Sequence, residues 1–299
     1  MYKLIAFDLD GTLINRKHTI SRKTIKAIED AKKQGVFITI ATGRFFGSAS
    51  AIAKKLRVNA PMIANDGAQI QDVFTGRVVS FTPIKRETCL KVAGILKNYP
   101  SVEVQFFSKN RKIYIGKNFK INQLKKYFRR KRFSIMGFVN YLRDFVLGPV
   151  VQVEAIDNIG SMLEDDVAKV VVSGDPSQIQ RLKIQLQEEL HDKITITSAI
   201  QNYIDILEKG VSKARGLHIL AEELGIKRDE IVAVGDNFND IDMIKYAGLG
   251  VAMGNAPEEV KRAARQVISN NDGDGIAMLI KSIIYEWKTQ DFSGVRKSV

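Results

Sequence analysis

Cysteine is almost absent from this chain of 299 residues. The single Cys89 excludes an internal disulfide and a thiolate-built structural zinc site, and it argues for a reducing compartment. No apolar run approaches the ~18 residues that a membrane span requires. The opening string MYKLIAFDLDGT carries acids at positions 8 and 10, where a secretion signal needs an apolar stretch. A soluble cytoplasmic protein with no membrane partner is expected. Histidine is scarce too: His18, His191 and His218 are scattered and form no ligand pattern. Acids are fewer than bases, 33 against 46, for a net charge of +13. The shortage is sharpest from Lys109 to Arg132, which holds eleven Lys or Arg and no Asp or Glu. Internal repeats and low-complexity linkers are missing as well. With 45% hydrophobic and 26% charged residues, global disorder is excluded, and the length suits about two domains.

What is present is an alternation of strand and helix signals. Leu4–Phe7 is a short apolar run that reads as a buried strand. Ser21 can cap a helix carrying Ile25, Ile28 and Ala31, which Gly35 stops. Val36–Ile40 is the next strand, followed by a helix over Ala49–Leu56 and a strand at Met62–Ala64. The last hundred residues repeat the pattern. A helix over Ser212–Leu224 leads to the strand Ile231–Val234. The strand Gly250–Met253, a helix from Pro257, the strand Val267–Ile268 and a final helix Ile276–Trp287 follow, and 293–299 reads as a frayed tail. Such alternation indicates an α/β fold: a Rossmann-like parallel sheet with helices on both faces. Residues 83–197 break the rhythm. Helix patterns at Thr88–Lys97, Ile121–Arg130 and Pro176–Leu190 mix with strand patterns at Val102–Phe107, Ile113–Ile115, Val150–Val153 and Lys169–Val172. The expected organisation is a core of 1–82 and 198–299 with an α/β cap, 83–197, inserted into it.

Four strings carry chemistry. In Asp8-Leu9-Asp10-Gly11-Thr12, two carboxylates two residues apart leave a strand on one side, beyond the carboxyl edge where open α/β sheets bind ligands. An ionised aspartate is a nucleophile that needs no base, and Mg²⁺ could offset its repulsion from a phosphate. In Ile40-Ala41-Thr42-Gly43-Arg44, a strand runs into a hydroxyl and backbone amides suited to phosphate oxygens. Lys213 falls at a helix start, where the dipole disfavours a cation unless it faces an anion. In Val234-Gly235-Asp236-Asn237-Phe238-Asn239-Asp240, carboxylates and amide oxygens suit a hard cation.

Taken in this order, the four strings resemble the haloacid dehalogenase superfamily. The insert, the string Gly250–Ala256 and the segment Asn65-Asp66-Gly67-Ala68 are similar to its Cof-type phosphatases of subclass IIB, which carry a large α/β cap. Many relatives read N-G-A where this chain reads Asn65-Asp66-Gly67. The resemblance implies Mg²⁺-dependent hydrolysis of small phosphorylated metabolites, a sugar phosphate or similar ester, through an aspartyl-phosphate. By that resemblance Asp8 attacks phosphorus, and Asp10 protonates the leaving oxygen and then activates water. Thr42, the amides of Leu9 and Gly43, Lys213 and Asn239 hold the phosphoryl oxygens. Asp8, the backbone carbonyl of Asp10 and Asp236 ligate the metal, and Asp240 orients them.

Other readings carry less. A phosphomutase or a dedicated sugar-phosphate phosphatase shares the core by family analogy, and turnover products would separate them. A nucleic-acid or regulatory binding protein could use the basic run, where Tyr127 and Phe128 lie among Lys125, Lys126, Arg129 and Arg130. The intact aspartate and lysine set argues against nucleic acid as the partner. Gly248-Leu249-Gly250-x₃-Gly254 has one residue too many for a dinucleotide loop and precedes a strand. Asn270-x-Asp272-x-Asp274-Gly275 imitates a calcium loop but reaches Lys281 where the loop needs a glutamate. Cys89 is expected to pack inside a cap helix. Oligomeric state and the roles of Arg44 and Asp66 are left open.

Overall fold

The computed structural model describes residues 1–16, 18–108, 112–115, 150–153, 166–197 and 202–294. The chain divides into two compact units, 1–81 with 211–299, and 82–210. The expected boundary at 82/83 falls one residue from this division. The expected boundary after 197 is replaced by one at 210. The cause is the strand Tyr203–Glu208, unread in the sequence, which pairs antiparallel with both of its neighbours in the inserted unit.

The first unit is built on β1 (Leu4–Phe7), α1 (Arg22–Lys33), β2 (Phe37–Ile40), α2 (Phe46–Leu56), β3 (Met62–Ala64), β4 (Gln69–Gln71) and β5 (Val78–Phe81). Its second stretch adds a helix, Lys213–Glu223, and the strands and helices that follow it. The inserted unit holds α3 (Arg86–Leu96), β6 (Glu103–Ser108), β7 (Lys112–Ile115), β8 (Val150–Val153), β9 (Val167–Ser173), α4 (Pro176–Leu190), β10 (Ile194–Thr197) and β11 (Tyr203–Glu208). The chain then re-enters the first unit through α5 (Lys213–Glu223), β12 (Ile231–Gly235), α6 (Ile241–Tyr246), β13 (Leu249–Met253), α7 (Glu258–Ala263), β14 (Gln266–Ile268) and α8 (Gly275–Gly294).

The five strands β14-β13-β12-β1-β2 form one sheet, parallel throughout. Alternation along β1 sends Ile5 and Phe7 into one apolar layer with Ile28, Ala53 and Ile280, from helices α1, α2 and α8. Leu4 and Ala6 enter a second layer with Leu217, Leu220 and Met243, from α5 and α6. Both faces are therefore buried, which is why β1 and β12 read as unbroken apolar runs. Ser21 caps α1 by accepting from Thr24 N–H, as its position predicts. In the β3-β4-β5 sheet, β3 is the strand expected at Met62–Ala64, while β4 and β5, three and four residues long with polar members, escape a sequence reading.

The register decides where the site lies. Phe7 stands beside Ile40 on one side and Val234 on the other. The residues after these strand ends therefore emerge side by side at one carboxyl edge. The inserted unit is a six-stranded sheet, β10-β11-β9-β6-β7-β8, antiparallel except for the β7–β8 pair. Helices α3 and α4 cover one face through Val92, Leu96, Leu182 and Leu186. Cys89 is buried in α3, and burial pushes its thiol up to about 12, which makes it a packing residue. The helix expected over Ile121–Arg130 lies outside the described residues; of the tail expected over 293–299, the first two residues continue α8 and 295–299 lie outside the described residues. So does the basic run, apart from the backbone of β7. Among the described residues no helix is long and apolar enough to cross a membrane.

Candidate active site

Strand β1 delivers Asp8 directly, and the Asp8 N–H still donates to Val234 O at 2.9 Å, so the residue is held to the neighbouring strand. Its side chain is buried. The chain turns away at Gly11 with φ +87, and a Cβ there would stand 2.1 Å from Asp236 Oδ2. Glycine at 11 thus serves two needs, a left-handed turn and an open seat for the carboxylate that β12 supplies. Thr12 Oγ1 donates to Asp236 Oδ1 at 3.0 Å. Asn255 Nδ2 donates to Asp236 Oδ2 at 3.1 Å and to Gly11 O at 3.0 Å. Neither Thr12 nor Asn255 was singled out from sequence. Each lay inside a quoted string, as a polar residue just beyond a strand end.

Lys213 opens α5, whose cap Ser212 accepts from Arg215 N–H. Its Nζ donates to Asp8 Oδ1 and to Asp240 Oδ1, both at 2.6 Å, in a site where all three residues are buried. Asp240 Oδ2 accepts from the N–H groups of Asp236 and Asn237, at 2.9 Å each. Asp240 therefore ties the Asp236 turn to Lys213. Burial alone would lower the Lys213 ammonium, but Asp240 and Asp8 outweigh it and hold the lysine charged. Burial raises Asp8 well above the usual carboxylate range, against the pull of Lys213. Burial, then the nearby Asp240, pushes Asp236 up to about 6.

Burial leads the rise of both Asp8 and Asp236, and the neighbouring carboxylates add to it. Asp8, Asp236 and Asp240 each offer a carboxylate oxygen within 4.8 Å of the others, against one lysine. An all-oxygen donor set short of positive charge fits a hard divalent cation. Asp10 does not join that cluster with its side chain. Its carboxylate faces Arg44, which donates through Nε at 2.6 Å and also through Nη2. Only its backbone is left to serve the cluster, which is the part the resemblance assigned.

Of the expected phosphate-holding residues, Thr42 leaves β2 one residue beyond Ala41, with its N–H donating to Ile63 O at 2.9 Å. Its Oγ1 accepts from Arg44 N–H at 3.1 Å. The side chain of Leu9 is buried in the first apolar layer, so only its backbone can act at the edge. Gly43 lies against Asp66, and Asn239 Nδ2 donates to Asp66 Oδ1 at 2.9 Å. Asp8, Asp236, Asp240 and Lys213 are thus one cluster, while Gly43 and Asn239 share Asp66 as a neighbour. The loop that imitates a calcium site is spent elsewhere: Asp272 pairs with Arg16 and Asp274 with Lys23. His218 lies beside Tyr246 and Glu222, away from these residues.

A buried aspartate, a lysine and a carboxylate cluster thus stand together at the carboxyl edge of a doubly covered parallel sheet, an arrangement suited to phosphoryl transfer. The chain matches the family model of haloacid dehalogenase-like hydrolases over residues 5–280, and it belongs to that family. It is a phosphatase of the superfamily, on the Cof-type branch of subclass IIB. Stress response protein YhaX of Bacillus subtilis is 31% identical over 281 residues, covering 93% of this chain and 92% of its own. The 5-amino-6-(5-phospho-D-ribitylamino)uracil phosphatase YcsE of the same organism is 29% identical, at 93% and 94% coverage. Among solved structures, the subclass IIB sugar phosphatase BT4131 superposes with a TM-score of 0.75 at 26% identity, covering 94% of this chain and 98% of that one.

Proposed function

We propose that this enzyme hydrolyses small phosphomonoesters, sugar phosphates or similar polyol phosphates, in a Mg²⁺-dependent reaction through an aspartyl-phosphate on Asp8. The observation that carries the reading is the buried Lys213 ammonium bridging Asp8 and Asp240 at 2.6 Å each. A lysine so placed fixes the nucleophile and presents positive charge where phosphoryl oxygens arrive. The substrate class rests on the two relatives named for their substrates, both of which act on phosphorylated polyhydroxy compounds.

In this reading an Asp8 carboxylate oxygen attacks phosphorus and the ester P–O bond breaks. Asp10 gives its proton to the departing alkoxide, then takes one from the water that cleaves the phospho-aspartate. Asp10 must leave Arg44 to do so. Thr42, the amides of Leu9 and Gly43, Lys213 and Asn239 hold the phosphoryl oxygens in line. Asp8, the Asp10 carbonyl and Asp236 would hold Mg²⁺, and Asp240 would set their orientation. The ion would neutralise phosphoryl charge as the nucleophile approaches. A cytoplasmic location fits the single buried cysteine.

Phosphate release across a broad panel of phosphorylated metabolites tests the reading. Activity should vanish with EDTA and return with Mg²⁺. Asp8→Asn should abolish an acid-stable, hydroxylamine-sensitive phosphoenzyme. Asp10→Asn should keep a slow first step with p-nitrophenyl phosphate, whose leaving group needs no proton, while alkyl esters lose roughly 10²–10⁴-fold. Full activity without metal, or a phosphoenzyme in Asp8→Asn, would refute it.

A further inference from the structure

Asp66 stands at an unusual place. It and Asn65 form a pair of consecutive non-glycine residues in the left-handed region, with φ +54 and +50. Both are buried. Among the described residues Asn65 Oδ1 has no hydrogen-bond partner. Two strained residues and an orphaned oxygen are costly features, kept where the surrounding structure demands them, and such features gather at functional sites. The loop is fastened to the site from several sides. Asn65 N–H donates to Arg44 O at 3.0 Å and Asp66 N–H to Thr42 O at 3.1 Å. At Gly67 a Cβ would reach Ser212 O at 2.1 Å, so the loop presses on the residue that precedes Lys213.

What this fastening places is a carboxylate. Asp66 Oδ1 accepts from Asn239 Nδ2 at 2.9 Å. Both Asp66 oxygens lie 3.0 Å from where a Gly43 side chain would begin. Its negative charge is also among those that hold Lys213 protonated. A carboxylate accepts hydrogen bonds and has no proton to donate, so it can face only the nitrogen end of the Asn239 amide. Because Asp66 lies against Gly43, the Asn239 nitrogen is turned to the Gly43 side, and its second N–H is left for another acceptor.

We infer that Asp66 is a positioning residue that locks the side-chain amide of Asn239 with its nitrogen toward the phosphate-holding residues. The inference rests on the phosphatase reading and on Asn239 as a phosphoryl ligand. An asparagine at 66 would lose the lock, because its own NH₂ could turn to Asn239 Oδ1 and allow the opposite amide orientation.

The test uses the full chain with Mg²⁺, measuring binding of inorganic phosphate and kinetics with p-nitrophenyl phosphate. Asp66→Asn keeps size and tolerates positive φ. It should weaken phosphate binding and raise KM by about three- to tenfold, the scale of one misplaced hydrogen bond, with kcat within about threefold. In an Asn239→Ala background the same change should cost less than about twofold, because Asp66 acts through that amide. Asp66→Gly, which also accepts positive φ, should behave alike and serves if the asparagine variant does not fold. Tighter phosphate binding in Asp66→Asn would overturn the inference, since simple charge repulsion would then dominate. An undiminished loss in the Asn239→Ala background would overturn it too, as would an Asn239→Ala variant that binds phosphate like the unaltered enzyme. These failures leave the unaltered enzyme releasing phosphate. Failure of the phosphatase reading shows instead as no release from any ester.

Discussion

Lys213 illustrates how one side chain can be both a structural risk and a chemical asset. Replacing it by methionine would leave Asp8 and Asp240 buried without their shared cation. Breaking a buried pair in this way costs about 3–5 kcal/mol, because the remaining charges are uncompensated. The expected result for Lys213→Met is a large drop in melting temperature at pH 7, accompanied by loss of turnover. The deficit should shrink toward acid pH, as the buried Asp8, already raised by burial, takes up a proton and sheds its uncompensated charge. A deficit unchanged by pH, followed by thermal melts, would show that the loss comes from packing instead. Asp8 and Asp236 were legible because each follows an apolar run at a strand end, and strand ends in a parallel sheet share one edge; Lys213 was legible only as a cation at a helix start. The Asp10–Arg44 pair was not legible. Both residues were named, but nothing in a linear string says that a guanidinium two residues past Thr42 will turn back to the Asp8 turn.

At the scale of elements, helix α5 matters because its first residue is Lys213. Its cap, Ser212, accepts from the Arg215 N–H at 3.2 Å. Ser212→Ala should cost about 1 kcal/mol of stability, the usual worth of such a cap. It should also raise KM for a phosphate ester, since the frayed turn is the one that carries the lysine. Denaturant melts and steady-state kinetics measure the two effects separately. Long periodic elements such as α1, α4 and α5 were readable because their apolar stripe repeats over three turns or more. Strands β4, β5, β10 and β11 were not. In β11, Tyr203-Ile204-Asp205-Ile206 has the alternation of a half-buried strand, yet it falls within 198–299, the segment expected to belong to the core. That single unread strand moved the domain boundary to 210.

For the whole molecule, electrostatics set two expectations. Asp236 is raised to about 6 in the metal-free protein, above its value in an unfolded chain. The stability this group contributes is therefore full below the ordinary carboxylate range and is lost as pH rises through about 6. On the proposed function Mg²⁺ displaces that proton, so its stabilising effect should be larger at pH 7.5 than at pH 5. Melting temperatures with and without Mg²⁺ at both values check this; an equal shift at the two would show that Asp236 takes no part in binding. The second expectation concerns the basic run, whose placement lies outside the described residues. Neutralising Lys125, Lys126, Arg129 and Arg130 together should change KM or its salt dependence and leave kcat within a few-fold. A collapse of kcat in a folded variant would contradict it. The two-unit plan of the chain was legible from its change of rhythm. The substrate was not, because no string in the insert spells a specific contact.

The pairing of β1 with β12 has a consequence for how this protein is made. Its central strands are separated by more than two-thirds of the chain, with the inserted unit between them. On a ribosome working at about 5–20 residues per second, Leu4 must wait on the order of ten seconds or longer for Ile231 to emerge. The inserted unit is contiguous and can finish first. During that interval the nascent β1 and β2 expose apolar faces and the edge of β1 that β12 will cover, so the first strand made must wait for most of the chain before it gains its second neighbour. A chain ending before Ile231 would carry Asp8 without Val234, whose carbonyl holds the Asp8 N–H.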